Sequence, residues 1–399
     1  MLSHSEHIRQ YMVITANYWA FTLTDGALRM LVVLYFHKLG YSPLEIATVF
    51  IFYEFFGVVT NLVGGWLGAR WGLNKIMNIG LFLQVVALSL LLVPASYLTV
   101  VWVMVAQAIS GVAKDLNKMS AKSAIKFLVP SDQSSKLFHW VALLTGSKNT
   151  LKGIGFFVGA VLLSLLGFKG AVLAMAIALL IVWIISLFLL TQDLGRSPSK
   201  PKFTSLFSKT SQINYLSAAR MFLFGSRDVW FVVALPVFLS SKLGWSHTMI
   251  GTFFAIWIII YGVVQVLAPR VIFKDKNENP GAREAFMSAI SLAIVPILIV
   301  FALHQGWHLH SVIVIGLAVF GVAFAINSSL HSFLIVEYAS AKQVSLDVGF
   351  YYMANAMGRL IGTVLSGLIY QLYGLEACLI VSGLFLITAS MLSLRIDNS

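Results

Sequence analysis

The 399-residue chain is 59% hydrophobic and 11% charged, with a mean hydropathy of +0.89 and a formal net charge of +12. Soluble domains carry about 25% charged residues, so the composition excludes a soluble enzyme or binding module and leaves an integral membrane protein. A single cysteine, Cys378, excludes intrachain disulfides and a multi-cysteine soft-metal site.

Apolar runs long enough to cross a hydrocarbon core of about 30 Å fall near 11–36, 44–69, 76–94, 98–121, 138–166 and 170–190, then 213–240, 247–269, 285–303, 311–336, 347–372 and 376–395. A transmembrane barrel would instead alternate in segments of about ten residues. The polar start, Met1 to Gln10, runs straight into the first span, so no cleavable signal peptide is expected. The expected fold is an all-α membrane protein of twelve spans in two six-helix bundles, 1–190 and 213–399. They are joined by a polar linker, 191–212, that holds Pro198, Pro201 and four cations.

Loop cations orient the spans. Fifteen lie in loops on the amino-terminal side, among them Arg70, Lys75, Lys200 and Arg283, and three on the other side, Lys38, Lys169 and Lys242. The positive-inside rule then predicts that both termini are cytoplasmic. The net charge is thereby explained by topology, and no nucleic-acid motif accompanies it.

The halves repeat each other. KLGYS at 38–42 matches KLGWS at 242–246, GVAKDLN at 111–117 matches GVAFAIN at 321–327, and Gly155 and Gly159 match Gly358 and Gly362. Repeats of this kind mark secondary transporters, in which substrate is held near the midplane between the halves.

The remaining nine cations lie inside the spans: Arg29, Lys114, Lys118, Lys122, Lys148, Lys152, Arg220, Arg227 and Arg359. A cation at the bilayer centre costs about 2.5–3.5 kcal/mol even on lenient scales, so these residues are expected to line a polar interior. Lys114, Lys118 and Lys122 share one face of span 4, and Lys148 with Lys152 repeats the four-residue spacing in span 5. Their repeat partners, Phe324, Ser328, Tyr351 and Asn355, are uncharged. The cluster is therefore not scaffold demanded by the fold. Lys122, at the expected end of span 4, fits snorkelling to the interface equally well. Arg29, Arg227 and Arg359 suit two-pronged recognition of phosphate-like oxygens.

Four interior acids, Asp25, Glu54, Asp115 and Asp228, serve as counter-ions or carry a coupling proton. Asp25 stands one turn before Arg29, and Asp115 one turn before Lys118. Asp228 adjoins Arg227, where helical divergence of about 100° calls for other partners. Nine cations against four acids favour a small polyanion as substrate. Asn117, Asn355 and Tyr18 are candidates for hydrogen bonds to it; helix–helix polar contact is the plainer reading. His304, His308 and His310 crowd one loop without a nearby carboxylate or cysteine in sequence, so no metal is expected. No cofactor motif or nucleophile–base constellation appears, which argues against an intramembrane enzyme.

GGWLGARWGLNK, Gly64 to Lys75, resembles the signature loop of the major facilitator superfamily, with Ala69 where an aspartate is usual. NYWAFTLTDGALRMLVVL from Asn17, FYEFFGVVTNLVGGWLGAR from Phe52, GVAKDLNKMSAKSAIK from Gly111, LTGSKNTLKGIGFF from Leu144 and RDVWFVVALPVFL from Arg227 are similar to the ArsJ family of organoarsenical efflux permeases. That resemblance implies export of 1-arseno-3-phosphoglycerate and arsenate resistance. It also implies functional pairing with the glyceraldehyde-3-phosphate dehydrogenase that makes the ester, without physical contact, and a monomer in the bacterial inner membrane. The competing substrate class is another organophosphate or inorganic phosphate, taken by an exchanger.

Overall fold

The computed structural model describes residues 4–39, 50–129, 133–190, 194–196, 210–245, 247–272, 280–341 and 343–396. Most of the 191–212 linker and of the 38–42 repeat segment lies outside the described residues, as do Lys200, Lys202 and Ser246. The described chain is helical throughout: α1 (His4–Lys38), α2 (Ile51–Trp71), α3 (Leu73–Leu90), α4 (Val100–Leu128), α5 (Ser134–Leu189), α6 (Ser211–Phe231), α7 (Ala234–Ser241), α8 (His247–Ile272), α9 (Ala282–His304), α10 (Leu309–Tyr338) and α11 (Val344–Ser393). α5 holds spans 5 and 6, α11 holds spans 11 and 12, and α6 with α7 forms span 7, so the twelve expected spans are present.

The repeat is visible in how these helices turn. α5 breaks at Gly167 (φ 66°, ψ 179°) and α11 at Gly374 (φ 79°, ψ −174°), corresponding positions of the two halves. That region of backbone space is essentially reserved for glycine. A Cβ at Gly167 would meet nothing within 4 Å, so the penalty there is conformational alone. Gly167→Ala is expected to lower stability by about 1–3 kcal/mol, read as a shift in thermal unfolding. An unchanged midpoint would show that the turn tolerates a side chain.

Two helix ends differ from expectation. α4 runs to Leu128, which places Lys122 inside the helix rather than at its end. Span 7 is broken at Val232 and Val233, where Ser366 Oγ accepts the N–H groups of Val233 (3.3 Å) and Ala234 (3.1 Å). Ser366 thereby satisfies donors that start a helix with no preceding turn to bond to. Thr99 and Thr210 cap α4 and α6 by accepting from Trp102 N and Ile213 N.

Seven described helical stretches are long and apolar enough to cross a membrane. Most of the interior charges lie on α1, α4, the first part of α5 and α6.

The chain divides into two compact units. Unit one comprises Met1–Gln133, Ser147–Ser208 and Ala339–Met353; unit two comprises Ser134–Gly146, Lys209–Tyr338 and Ala354–Ser399. Unit one has a core of Leu28, Leu31, Leu81, Leu88, Val103, Phe168 and Val172. Unit two is built on Trp230, Trp257, Leu317, Phe320, Phe324 and Leu379, with Cys378 fully buried among them. Large apolar side chains such as Phe157, Leu165 and Phe188 are more than 70% exposed, as a lipid-facing surface requires.

Close helix contacts use the glycines shared by the repeat. A Cβ at Gly159 would lie 2.9 Å from Ala27 Cα, and one at Gly362 3.2 Å from Gly225 Cα. Small residues at such crossings let membrane helices approach backbone to backbone. Near the end of α2, Gly65 packs on the start of α11, where a Cβ would be 3.0 Å from Gly349 Cα. Ala69, 1% exposed, joins an apolar cluster with Leu346, Leu62 and Trp66. Ala69 thus makes a hydrophobic contact in unit one.

Candidate functional site

In unit one the polar lining is assembled by a close crossing of α2 and α4. A Cβ at Gly111 would be 3.0 Å from Tyr53 Cα, and one at Gly57 would be 2.7 Å from Asp115 Oδ2. Glycine at both places brings the aromatic side chain of α2 against the lysine face of α4 and leaves room for the carboxylate.

Asp115, 1% exposed, is bracketed by two lysines: Lys114 Nζ at 3.6 Å and Lys118 Nζ in direct contact. The sequence pairing of Asp115 with Lys118 holds; Lys114 is the added partner. Lys114 Nζ also sits 3.7 Å from the centroid of the Tyr53 ring. Lys118 lies 5.0 Å from the ring of Tyr352, and Lys122 Nζ donates to Tyr352 Oη at 2.6 Å. Lys122 is 4% exposed, so it is an interior cation and the snorkelling alternative is corrected. Lys148 and Lys152 are half-buried on α5, with Lys152 Nζ 6.0 Å from the Phe156 ring.

Asp25 does not pair with Arg29, contrary to expectation. Arg29 Nη2 contacts Glu54 Oε1 at 3.3 Å, and its guanidinium lies 4.9 Å from the Phe50 ring and 5.0 Å from the Tyr53 ring. Asp25 instead accepts the Tyr53 hydroxyl, which is 2.7 and 2.9 Å from its two oxygens. The one-turn spacing on α1 made the Asp25–Arg29 pair available, and the tertiary partners on α2 outcompete it.

The interior cations of unit two are arginines, whereas unit one has five lysines and Arg29. Asp228 is fully buried and binds two guanidiniums: Arg227 through Nε (2.6 Å) and Nη2 (2.5 Å), and Arg359 through Nε (3.2 Å). The sequence expectation that Asp228 needs a partner other than its neighbour is half right. Arg359 is that partner, yet the long arginine side chain also folds back across the diverging Cα–Cβ vectors. Arg220, 2% exposed, is held by Asn355 Oδ1 (2.9 Å), the Ser328 carbonyl (3.0 Å) and Ser332 Oγ (3.5 Å). Arg220 and Arg227 both lie over the Phe224 ring, and Arg227 is 5.4 Å from Phe324, the repeat counterpart of Lys114. The two units therefore invert their parts: α4 supplies cations in one, and the matching helix α10 supplies an aromatic face in the other.

Other predicted polar residues are placed as follows. Tyr18 is 1% exposed, and its hydroxyl has no hydrogen-bond partner among the described residues. Asn117 is fully buried against Gly80 of α3, with both amide atoms in the same condition. Its repeat partner Asn327 matches it, and both ring nitrogens of buried His331 are likewise without such a partner among the described residues. Asn355 is engaged by Arg220. His304 Nε2 lies 3.2 Å from Glu376 Oε2 on the exposed surface, which corrects the expectation that no carboxylate approaches that loop; among the described residues no three metal-ligating groups converge.

Sequence reading missed Tyr53 and the aromatic faces of Phe224 and Phe324. The signal available was Tyr53 beside Glu54 inside an aromatic-rich run, FYEFF, which reads equally as lipid-facing membrane helix.

The sequence profile of the Major Facilitator Superfamily matches residues 14–332 and 216–398. No curated protein matches the chain by sequence. Among solved structures, the E. coli fucose:proton symporter superposes with a TM-score of 0.75 at 12% identity, over 97% of this chain and 98% of that one. A bacterial homologue of the iron transporter ferroportin gives 0.74 at 15% identity, covering 98% and 99%. The human organic anion transporter TETRAN gives 0.71 at 14% identity, covering 98% and 100%. At these identities the likeness is one of fold, and the family rests on the profile match across the chain. The chain belongs to the major facilitator superfamily, whose members are transporters, not enzymes.

Proposed function

We propose that this transporter exports a small organic polyanion from the cytoplasm of a bacterial cell, and that the polyanion is 1-arseno-3-phosphoglycerate. The single observation that supports this most is charge. Among the described residues, six interior cations stand against four acids in unit one (Asp25, Glu54, Asp115 and, at the start of α11, Asp347), and three against Asp228 in unit two. Buried charge of one sign is costly unless it is matched. A phosphorylated, arsenylated three-carbon acid supplies several negative charges within reach of lysine and arginine donors. Arginine forks grip tetrahedral oxyanions by two parallel hydrogen bonds, and lysines add compact charge.

The named substrate rests on the ArsJ-like segments, all five of which supply interior charges: Asp25 and Arg29; Glu54; Lys114, Asp115, Lys118 and Lys122; Lys148 and Lys152; and Arg227 with Asp228. In this reading a glyceraldehyde-3-phosphate dehydrogenase makes the ester from arsenate, export removes it, and both chain termini face the cytoplasm of the inner membrane. Arsenite is a poor candidate, since trivalent arsenic favours thiolates and the lone thiol is fully buried.

The test is arsenate accumulation by everted vesicles supplied with the dehydrogenase, its triose substrate, NAD and arsenate. Uptake is expected to depend on the dehydrogenase. The Lys114→Ala, Lys148→Ala double variant is expected to fall to about a tenth of the wild-type rate or less, the scale of losing two charge-assisted contacts. Wild-type rates in that variant would remove the lysines from the site. Uptake that ignores the dehydrogenase, together with counterflow by other phosphate esters, would favour the organophosphate exchanger instead.

A further inference from the structure

Tyr53 is 3% exposed on α2, and three helices meet on it. Its hydroxyl binds Asp25 of α1, while its ring lies under Lys114 of α4 at 3.7 Å and Arg29 of α1 at 5.0 Å. Asp25 differs from the three acids Glu54, Asp115 and Asp228. Glu54, Asp115 and Asp228 each lie against a cation, whereas the hydrogen-bond partner of Asp25 is a neutral phenol.

A ring face and a carboxylate hold a cation with different consequences. A carboxylate cancels the charge it binds. The ring attracts through its quadrupole and leaves the net charge in place. Lys114 keeps only part of its compensation from Asp115, since that carboxylate is shared with Lys118. The ring also restrains an ammonium that otherwise swings on four rotatable bonds. A cation held this way is both oriented and electrostatically available.

We infer that Tyr53 is a positioning residue for the transported anion: it holds Lys114 and Arg29 in place on its ring face and anchors that face through Asp25, without contacting the anion itself. The inference rests on the polyanion reading above. Tyr352 presents its ring to Lys118 at 5.0 Å and its hydroxyl to Lys122, so a second tyrosine of unit one also holds interior lysines, by a different pairing.

The test separates ring from hydroxyl. Tyr53→Phe keeps the face and loses the Asp25 bond; Tyr53→Leu loses both. Lysines of the purified protein in nanodiscs are reductively methylated with carbon-13, and the Lys114 signal is assigned by its loss in Lys114→Arg. That signal is expected at an upfield, ring-shifted position in the wild type and in Tyr53→Phe, and at an ordinary position in Tyr53→Leu. Binding of 3-phosphoglycerate is measured on the same proteins, unmethylated. Tyr53→Leu is expected to raise Kd about tenfold or more, from the magnitude of desolvated cation–π contacts, and Tyr53→Phe about threefold, from the loss of one hydrogen bond.

An unshifted Lys114 signal in the wild type would overturn the geometry. Equal losses in the Phe and Leu variants would assign the effect to the hydroxyl and overturn the role of the ring. A Kd unchanged in Tyr53→Leu, with Lys114→Ala weakened, would overturn the positioning role and leave the polyanion reading standing. Absence of binding by the wild type would overturn both.

Discussion

Asp228→Asn is expected to cost about 3–5 kcal/mol of stability, the usual consequence of removing one partner from a buried ionic cluster. Asp228 is fully buried, and Arg227 and Arg359 both close on it. The amide keeps the volume and one acceptor oxygen but removes the charge, leaving two guanidiniums without it. For a unit of this size the loss corresponds to a fall of about 10 °C in the unfolding midpoint, measurable by thermal challenge followed by size-exclusion chromatography in detergent. Under the polyanion reading, a phosphate ester should protect this variant more than the wild type, because the anion supplies the missing charge. An unchanged midpoint would mean that the arginines find other partners, and that Asp228 is not the counter-ion of unit two.

A pair of substitutions on one helix should differ in sign. In Gly358→Ala the new methyl would meet backbone of α6: the Met221 carbonyl oxygen in direct clash, with Met221 Cα at 2.9 Å. Backbone cannot rotate away as a side chain does, and overpacking of this kind costs about 1–3 kcal/mol, occasionally more. At Gly367, nine residues further along α11, a Cβ would meet nothing within 4 Å. Gly367→Ala should therefore be neutral or stabilising by up to about 1 kcal/mol, through helix propensity alone. Thermal unfolding of the two variants side by side decides the matter. Equal midpoints would show that α6 and α11 are not held by glycine-mediated approach.

Much of the architecture is legible in the chain because a bilayer imposes length and polarity rules on every span. The internal repeat is legible for a related reason: positions that tolerate only glycine, such as Gly155 with Gly358 and Gly159 with Gly362, reappear wherever the same crossing is built. Interior cations are conspicuous against an apolar background. Their partners are not. Arg29 chooses Glu54 on another helix over Asp25 one turn away, and nothing in local spacing encodes that choice. Lys122 looked terminal because the apolar run ends before the helix does. Tyr53 was invisible for a deeper reason. An aromatic residue in a membrane span has several uses, and only the packed neighbours at Gly111 and Gly57 select the one it serves.

The burial of Cys378 has a practical consequence. With its lone native thiol enclosed in the core of unit two, the protein is close to a cysteine-free background without any substitution. Spin labels or fluorophores can be attached to cysteines introduced at exposed helix ends, under mild conditions that leave Cys378 unmodified. Distance distributions collected with and without a phosphate ester would then report directly on the transport cycle.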